Sequence, residues 1–460
     1  MQQLDALVEK SSRAASIIWA CVTLAVAATV WLLFKDTGAI PPEFYQAEPG
    51  TIVPFAFTSV VIVWLVLGAL LFALRSQTVR ETRGFKLVCA AAALIFYANV
   101  FREHTNYGDY GDYIQAAVNL ESHAPFHGRY LYPPFFATLL SHMLPAYEGQ
   151  IFYLLWTLNL LSVGVFAFLL CALLERYGFA PRAAAGCVFA FVAINVPMLR
   201  TLAYVQVNFF VVNAIFLSIL WYPRHIILSA LALAFAAHLK ISPCMLALPF
   251  LLCRDWRWLV AFALGLGIFA APTLLEFGPE PFLSSFKNVQ NIYSANGGVF
   301  RENSIDSFFR SGMIIGLVSP EYADSLARAG RAVLMVLGVA ALWRALRWRP
   351  FAPSGEAGAM VLNAAPVLML TMMVVSPLMW EHHPVFAALP FLVMLRRVSS
   401  PGEWVAYGFS LFLIYYVPTF DFYPWSYGRL VGAVTLLVLM VKTSSAGQRG
   451  TFEVIRRAAA

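Results

Sequence analysis

The chain has 460 residues, of which 60% are hydrophobic and only 12% charged, and its formal net charge is +7. A soluble protein carries roughly 45–50% apolar and about 25% charged residues, so lipid must solvate most of this surface. The basic residues are scattered in short loops with no run interleaved with aromatics, which argues against a nucleic-acid partner and for orientation in a membrane. The six cysteines all lie in or beside apolar segments without C-x-x-C spacing, so they support neither a zinc or redox motif nor a disulfide framework.

Apolar stretches near the ~20 residues of a bilayer crossing recur along the whole chain and predict an all-α, polytopic integral membrane protein of about 12–14 transmembrane helices. In chain order they are 16–34, 52–74, 87–101, 151–174, 183–199, 204–221, 226–239, 242–253, 258–275, 329–343, 359–376, 384–395, 405–418 and 429–441. The first lacks a small-residue cleavage site and is followed by many more, so it reads as a retained helix and not a signal peptide. Two long hydrophilic stretches, 102–150 and 276–328, interrupt the series. No low-complexity segment, soluble domain or internal repeat of fixed period is present.

The stretch 226–253 decides the topology. As one helix it puts Lys240 near mid-bilayer, at roughly 2.5–3.5 kcal/mol. As two short segments meeting at Ile241, Ser242 and Pro243, it brings Lys240 to a surface with the proline as the break. With the N-terminus cytoplasmic, the second reading places 20 of the 31 Lys and Arg residues in inner loops, in agreement with the positive-inside rule. The hydrophilic stretches, 201–208, Lys240 and 377–384 then share the extracytoplasmic side. The expected location is the plasma (inner) membrane. Ionisable groups do not run through the bilayer as a transporter would require.

Asp109, Tyr113 and Ala116 follow at i, i+4 and i+7, one face of a helix. A carboxylate there can act as a general base at the membrane surface, or simply cap the helix. Tyr130 and Tyr132 precede Pro133 and Pro134, which start a second short helix; the tyrosines suit the headgroup belt as well as a sugar. Gln206 and Asn208 offer donors and acceptors to sugar hydroxyls or to a neighbouring helix. Lys240 can hold a phosphate or snorkel to water. Arg301 and Arg310, flanking Asn303, are phosphate candidates or solvated surface charges. Trp380, Glu381, His382 and His383 join two helices. The H-E-x-x-H spacing is absent, so proton transfer or phosphate contact fits the histidines better than a metal.

Taken in order, these pieces resemble glycosyltransferase family 87, the polyprenyl-phosphate-mannose-dependent α-mannosyltransferases of GT-C fold. The family pattern is Asp, Tyr four residues on and Ala three further, then Tyr-x-Tyr-Pro-Pro. It continues with Gly-Gln-x-Asn, Lys-x-x-Pro, an Asn-Gln-Ser-like site before an Arg, and Ser-Pro-x-x-Trp-x-His-His. Here these are Asp109, Tyr113 and Ala116; Tyr130, Tyr132, Pro133 and Pro134; Gln206 and Asn208; Lys240 and Pro243; Asn303, Ser304 and Arg310; and Ser376, Pro377, Trp380, His382 and His383. Val205 replaces the glycine, and the middle Gln before Arg310 is missing.

The resemblance covers roughly residues 87–441. It implies a GT-C-like catalytic domain over 87–460, preceded by a separate pair of helices in 1–86. It further implies a polyprenyl-phosphate sugar donor, a lipid or glycan acceptor, and inversion with Asp109 as base. Lys240, Arg301 or Arg310, and one of His382 and His383 would stabilise the leaving phosphate. Tyr113, Tyr130, Tyr132, Gln206, Asn208, Asn303 and Trp380 would contact substrate. No cofactor or metal is implied. The competing reading from another class is a lipid-glycan transporter or flippase.

Overall fold

A computed structural model describes residues 108–443 apart from 127, 129, 148–149, 194, 292–301, 348–355 and 417–422. The three spans expected before residue 108, the separate 1–86 unit and Arg301 lie outside the described residues. Among the described residues the regular structure is all helical, with no strand.

We number the described helices in order. They are α1 Gly108–Glu121, α2 Phe135–Tyr147, α3 Ile151–Arg176, α4 Pro181–Ala193, α5 Val196–Ala203, α6 Asn208–Trp221, α7 Ile226–Leu239 and α8 Leu248–Leu252. There follow α9 Trp256–Phe277, α10 Glu280–Gln290, α11 Ile305–Ile314, α12 Pro320–Leu346, α13 Glu356–Val374, α14 Ala388–Met394, α15 Pro401–Leu411 and α16 Gly428–Lys442. Four of them, α3, α9, α12 and α13, are long and apolar enough to cross a membrane, and α5 with α6 forms an apolar pair bent by 118°, the shape of a broken span or a re-entrant loop. Several of the remaining apolar segments are shorter, so the number of full crossings among the described residues is smaller than the sequence pattern suggests.

The long helices divide by what solvates them. Helix α13 is enclosed by protein, whereas α3, α9 and α12 leave large apolar side chains uncovered. Phe168 is 72% exposed and Val336 69%, on stretches, 151–174 and 332–343, without the charge that a water-facing surface would require. Lipid is the solvent that makes such surfaces stable. Where helices meet, small residues permit close approach. A Cβ added to Gly265 on α9 would fall 2.9 Å from the Ala234 Cβ of α7. One added to Gly338 on α12 would meet the Thr371 side chain of α13 at 2.5 Å. Aromatic stacking supplements this packing: the Phe250 and Trp258 rings lie parallel with centroids 3.6 Å apart, and Trp258 Nε1–H donates to Ser229 Oγ at 2.9 Å.

Most expected element positions agree within a few residues, α7 to the residue. The span expected over 183–199 does not exist as one helix. Asn195 interrupts it with extended backbone and caps α5 by accepting from the Met198 N–H at 3.0 Å, while Pro197 sits in the first turn. An Asn cap followed by proline begins a helix, so the apolar run before it must end. The break at Lys240 is present: α7 stops at Leu239, Lys240 is extended, and Ser242–Ala247 forms a 3₁₀ segment with Pro243 near its start. Helix α12 begins at Pro320, so the last part of the 276–328 stretch is helix rather than loop.

Candidate active site

The polar pieces are held at one end of the bundle by the two hydrophilic stretches docking on each other. Helix α10 braces the loop between α1 and α2. Ser285 Oγ–H donates to the Tyr132 carbonyl at 2.6 Å, Asn288 Nδ2–H to the Tyr130 carbonyl at 3.1 Å, and the Phe126 N–H to Ser284 Oγ at 2.9 Å. These bonds satisfy buried loop backbone that would otherwise be orphaned. The 302–305 segment reaches the 376–383 turn through the Asn303 N–H, which donates to the Met379 carbonyl at 2.7 Å.

Gln206 and Asn208 are placed by the end of α5. That helix closes with Val205 N–H donating to the Leu202 carbonyl at 3.1 Å and Gln206 N–H to the Thr201 carbonyl at 2.9 Å. This is the paired bonding of a Schellman end, which requires a left-handed residue; Val205 supplies it at φ +54. The chain then turns into α6, whose first residue is Asn208. The glycine of the sequence pattern thus corresponds to a backbone position that glycine fills without strain and valine does not.

Asp109 lies in the first turn of α1, partly exposed. Tyr132 O–H approaches Asp109 Oδ2 at 3.0 Å and Gln206 Oε1 at 3.2 Å, and Tyr113 O–H approaches the same Gln206 oxygen at 3.1 Å. Tyr132 has one proton, which goes to the carboxylate as the stronger acceptor; Tyr113 then serves Gln206. Gln206 Nε2 is buried without a protein partner. Burial raises the Asp109 carboxyl to about 6, against the lowering effect of the Tyr132 hydrogen bond, with Asp112 raising it further.

Lys240 faces the same space. Its ammonium group donates to Asn208 Oδ1 at 2.8 Å, and Nζ stands 2.7 Å from His383 Nε2. The rings of Tyr132 and Phe386 lie 5.8 and 5.6 Å from Nζ. Burial lowers Lys240 to about 7, and the negative charge of Asp109 resists the shift. Burial and then the nearby lysine push His383 well below its ordinary range, so at neutral pH it is a neutral hydrogen-bonding group. Tyr132 therefore joins the two halves of the site, with its hydroxyl on the carboxylate and its ring beside the cation.

The structure brings Asp109, Tyr113, Tyr132, Gln206, Asn208, Lys240, Trp380, His382 and His383 into one cluster. The Trp380 backbone nitrogen lies 3.3 Å from His383 Nδ1, and the His382 carbonyl accepts from Asn208 Nδ2 at 3.4 Å. Tyr130 is fully buried and its hydroxyl donates to the Pro133 carbonyl at 3.1 Å, so it shapes the loop. Arg310 pairs with Asp324 at 2.7 Å. The Asn303 side chain is buried with neither of its polar atoms partnered. Sequence reasoning missed Arg200 and gave Glu381 no role of its own. Both are charges at the edges of apolar runs, the one signal that marked them.

A family model for glycosyltransferase family 87 matches residues 130–377, more than half of the chain. The match includes Tyr132, Gln206, Asn208 and Lys240, with Asp109 ahead of it and the histidine pair just beyond. No curated protein and no solved structure matches the chain.

Proposed function

The chain belongs to glycosyltransferase family 87, and from that premise we propose that it transfers a hexose, mannose by resemblance, from a polyprenyl-phosphate donor to a lipid or glycan acceptor. The transfer takes place at the extracytoplasmic face of the plasma membrane, on a GT-C-type architecture.

The observation that supports this most is the juxtaposition of a partly exposed carboxylate of raised pKa with a lysine of lowered pKa, joined by one tyrosine. Titratable groups whose environments push them toward neutral pH suit acid–base work. In the proposed step the acceptor hydroxyl oxygen attacks the anomeric carbon of the β-linked sugar and its proton passes to Asp109. The bond between that carbon and the phosphate oxygen breaks on the opposite face, giving the α-linkage. The electron pair leaves with the polyprenyl phosphate, where Lys240 meets the charge as it grows. Neutral His383 orients the ammonium through Nε2, and Gln206 Nε2–H is a free donor for a substrate oxygen.

The test incubates the purified protein with radiolabelled polyprenyl-phosphate sugars and cell lipid extract. Transfer by the wild type and its loss in Asp109→Asn are expected. Failure with every polyprenyl-phosphate sugar, alongside transfer from a nucleotide sugar, overturns the reading.

A further inference from the structure

The corner between α5 and α6 grips the turn that carries the histidine pair, through groups that the proposed step does not use. Arg200 Nε lies 2.9 Å from Glu381 Oε1, with the side chains 8% and 9% exposed. Tyr204 O–H donates to the same oxygen at 3.0 Å. The Tyr204 ring meets the His382 ring edge-on, with centroids 6.0 Å apart. Asn208 Nδ2–H approaches the His382 carbonyl at 3.4 Å, while the Thr201 hydroxyl, 3.4 Å from the same oxygen, gives its proton to the Pro197 carbonyl at 2.8 Å. Two consecutive residues are thus held by three side chains from one corner, Arg200, Tyr204 and Asn208.

Burying an ion pair costs desolvation that the attraction often fails to recover, and apolar replacement of both partners is frequently neutral or stabilising. Stability is therefore a weak reason for this pair to exist. Its position supplies a better one. The gripped residues immediately precede His383, whose Nε2 must stay within reach of Lys240. The Asn208 amide reports on both sides at once, accepting from Lys240 through Oδ1 while Nδ2 holds the His382 carbonyl.

We infer that Arg200, Glu381 and Tyr204 are positioning residues that set the His382–His383 turn against Lys240. The inference rests on the proposed phosphate site at Lys240. It assigns to the α5–α6 corner the alignment of the groups that meet the leaving phosphate.

The test compares wild type, Glu381→Met, the double variant Arg200→Met with Glu381→Met, and Tyr204→Phe, all as the full chain in lipid nanodiscs. Glu381→Met removes the carboxylate from a buried ion pair and should lower the melting temperature, which the second substitution should restore. Turnover should not recover with it. We expect about a tenfold lower kcat in the double variant and a smaller loss in Tyr204→Phe, with KM for the polyprenyl-phosphate sugar within about twofold of wild type. A second readout needs no transfer: the pH midpoint for acylation of Lys240, near 7 in the wild type. Asp109, Tyr132, His382 and His383 face this amine, and a displaced turn admits water to it, so the midpoint should rise in the double variant. A double variant with wild-type kcat and an unmoved midpoint overturns the inference. If the wild type transfers from no polyprenyl-phosphate sugar, the functional reading fails on its own, and the labelling midpoint still decides the positioning claim. Should the double variant not fold, Tyr204→Phe carries both measurements.

Discussion

Lys240 Nζ lies 2.7 Å from His383 Nε2, joining the break after α7 to the turn before α14. An uncharged partner for a buried amine favours the neutral amine more than a carboxylate would, and leaves the charge available to an incoming anion. Charge on the leaving phosphate grows only as the glycosidic bond breaks, so this pair should act on turnover more than on binding. Lys240→Ala and His383→Ala are each expected to lower kcat at least tenfold, about 1.4 kcal/mol. Donor affinity should change less, because the prenyl chain contributes apolar contact. Full turnover in both variants would make the pair architectural.

The same pair of groups dictates a pH profile. Asp109 must be ionised to accept the proton, and its pKa of about 6 puts the acid limb of kcat/KM there. Lys240 must be charged to meet the phosphate, and its pKa of about 7 places the alkaline limb there in the free enzyme. The expected curve is a narrow bell between them. The kcat profile should extend to higher pH, since a bound anionic donor favours the ammonium form. A kcat/KM curve flat from pH 5 to 9 contradicts both assignments.

Asp112 separates the base from its surroundings. Asp109→Asn should abolish transfer, a loss of at least a hundredfold for removal of a general base. Asp112→Asn should keep most of the maximal rate. Because Asp112 raises the Asp109 carboxyl, its neutralisation should move the acid limb to lower pH. Stability gives an independent check. A carboxyl raised in the folded state binds protons there that the unfolded chain releases, so its ionisation costs stability as pH climbs from about 4 through about 6. Asp109→Asn should therefore raise the melting temperature at pH 8 and leave it near wild type at pH 4.

The orientation of the site is open to direct labelling. Ser122 and Ser325 are exposed in the two hydrophilic stretches, and Ser399 is exposed beyond α14. With the site extracytoplasmic, cysteines at Ser122 and Ser325 react with an impermeant thiol reagent in intact cells. A cysteine at Ser399 reacts only after lysis. Reaction of Ser399 in intact cells reverses the orientation.

Helix geometry and membrane energetics placed Asp109 and Lys240, while their grouping into one site came from the resemblance to the family pattern. Asp109, Tyr113 and Ala116 share a face of α1, and the cost of burying Lys240 in a continuous helix forced the break that the structure contains. The span over 183–199 was misread because hydropathy averages over Asn195, whose cap ends the run. The Arg200–Glu381 pair was invisible for another reason: two charges far apart in sequence reveal their partners only through packing. Arg310 shows the same limit, since Asp324 claims it by a turn no spacing rule specifies.

Val205 offers the sharpest test of the backbone at the site. Its φ of +54 is left-handed, where a β-branched residue is strained by about 1–3 kcal/mol. At an ordinary helical or extended position, glycine is less stable than alanine by roughly 0.5–1 kcal/mol. At a Schellman left-handed position the order reverses, because a Cβ crowds the following carbonyl. Val205→Gly loses one more buried carbon than Val205→Ala, worth about 0.8 kcal/mol against glycine, so greater stability of the glycine variant can come only from the backbone, Val205 being 2% exposed. We expect Val205→Gly to melt above Val205→Ala and to retain more activity, because the same turn aims Gln206 and Asn208. If alanine proves the more stable by more than that one carbon accounts for, the α5–α6 corner does not adopt the left-handed turn, and the placement of both amides at Tyr132 and Lys240 falls with it.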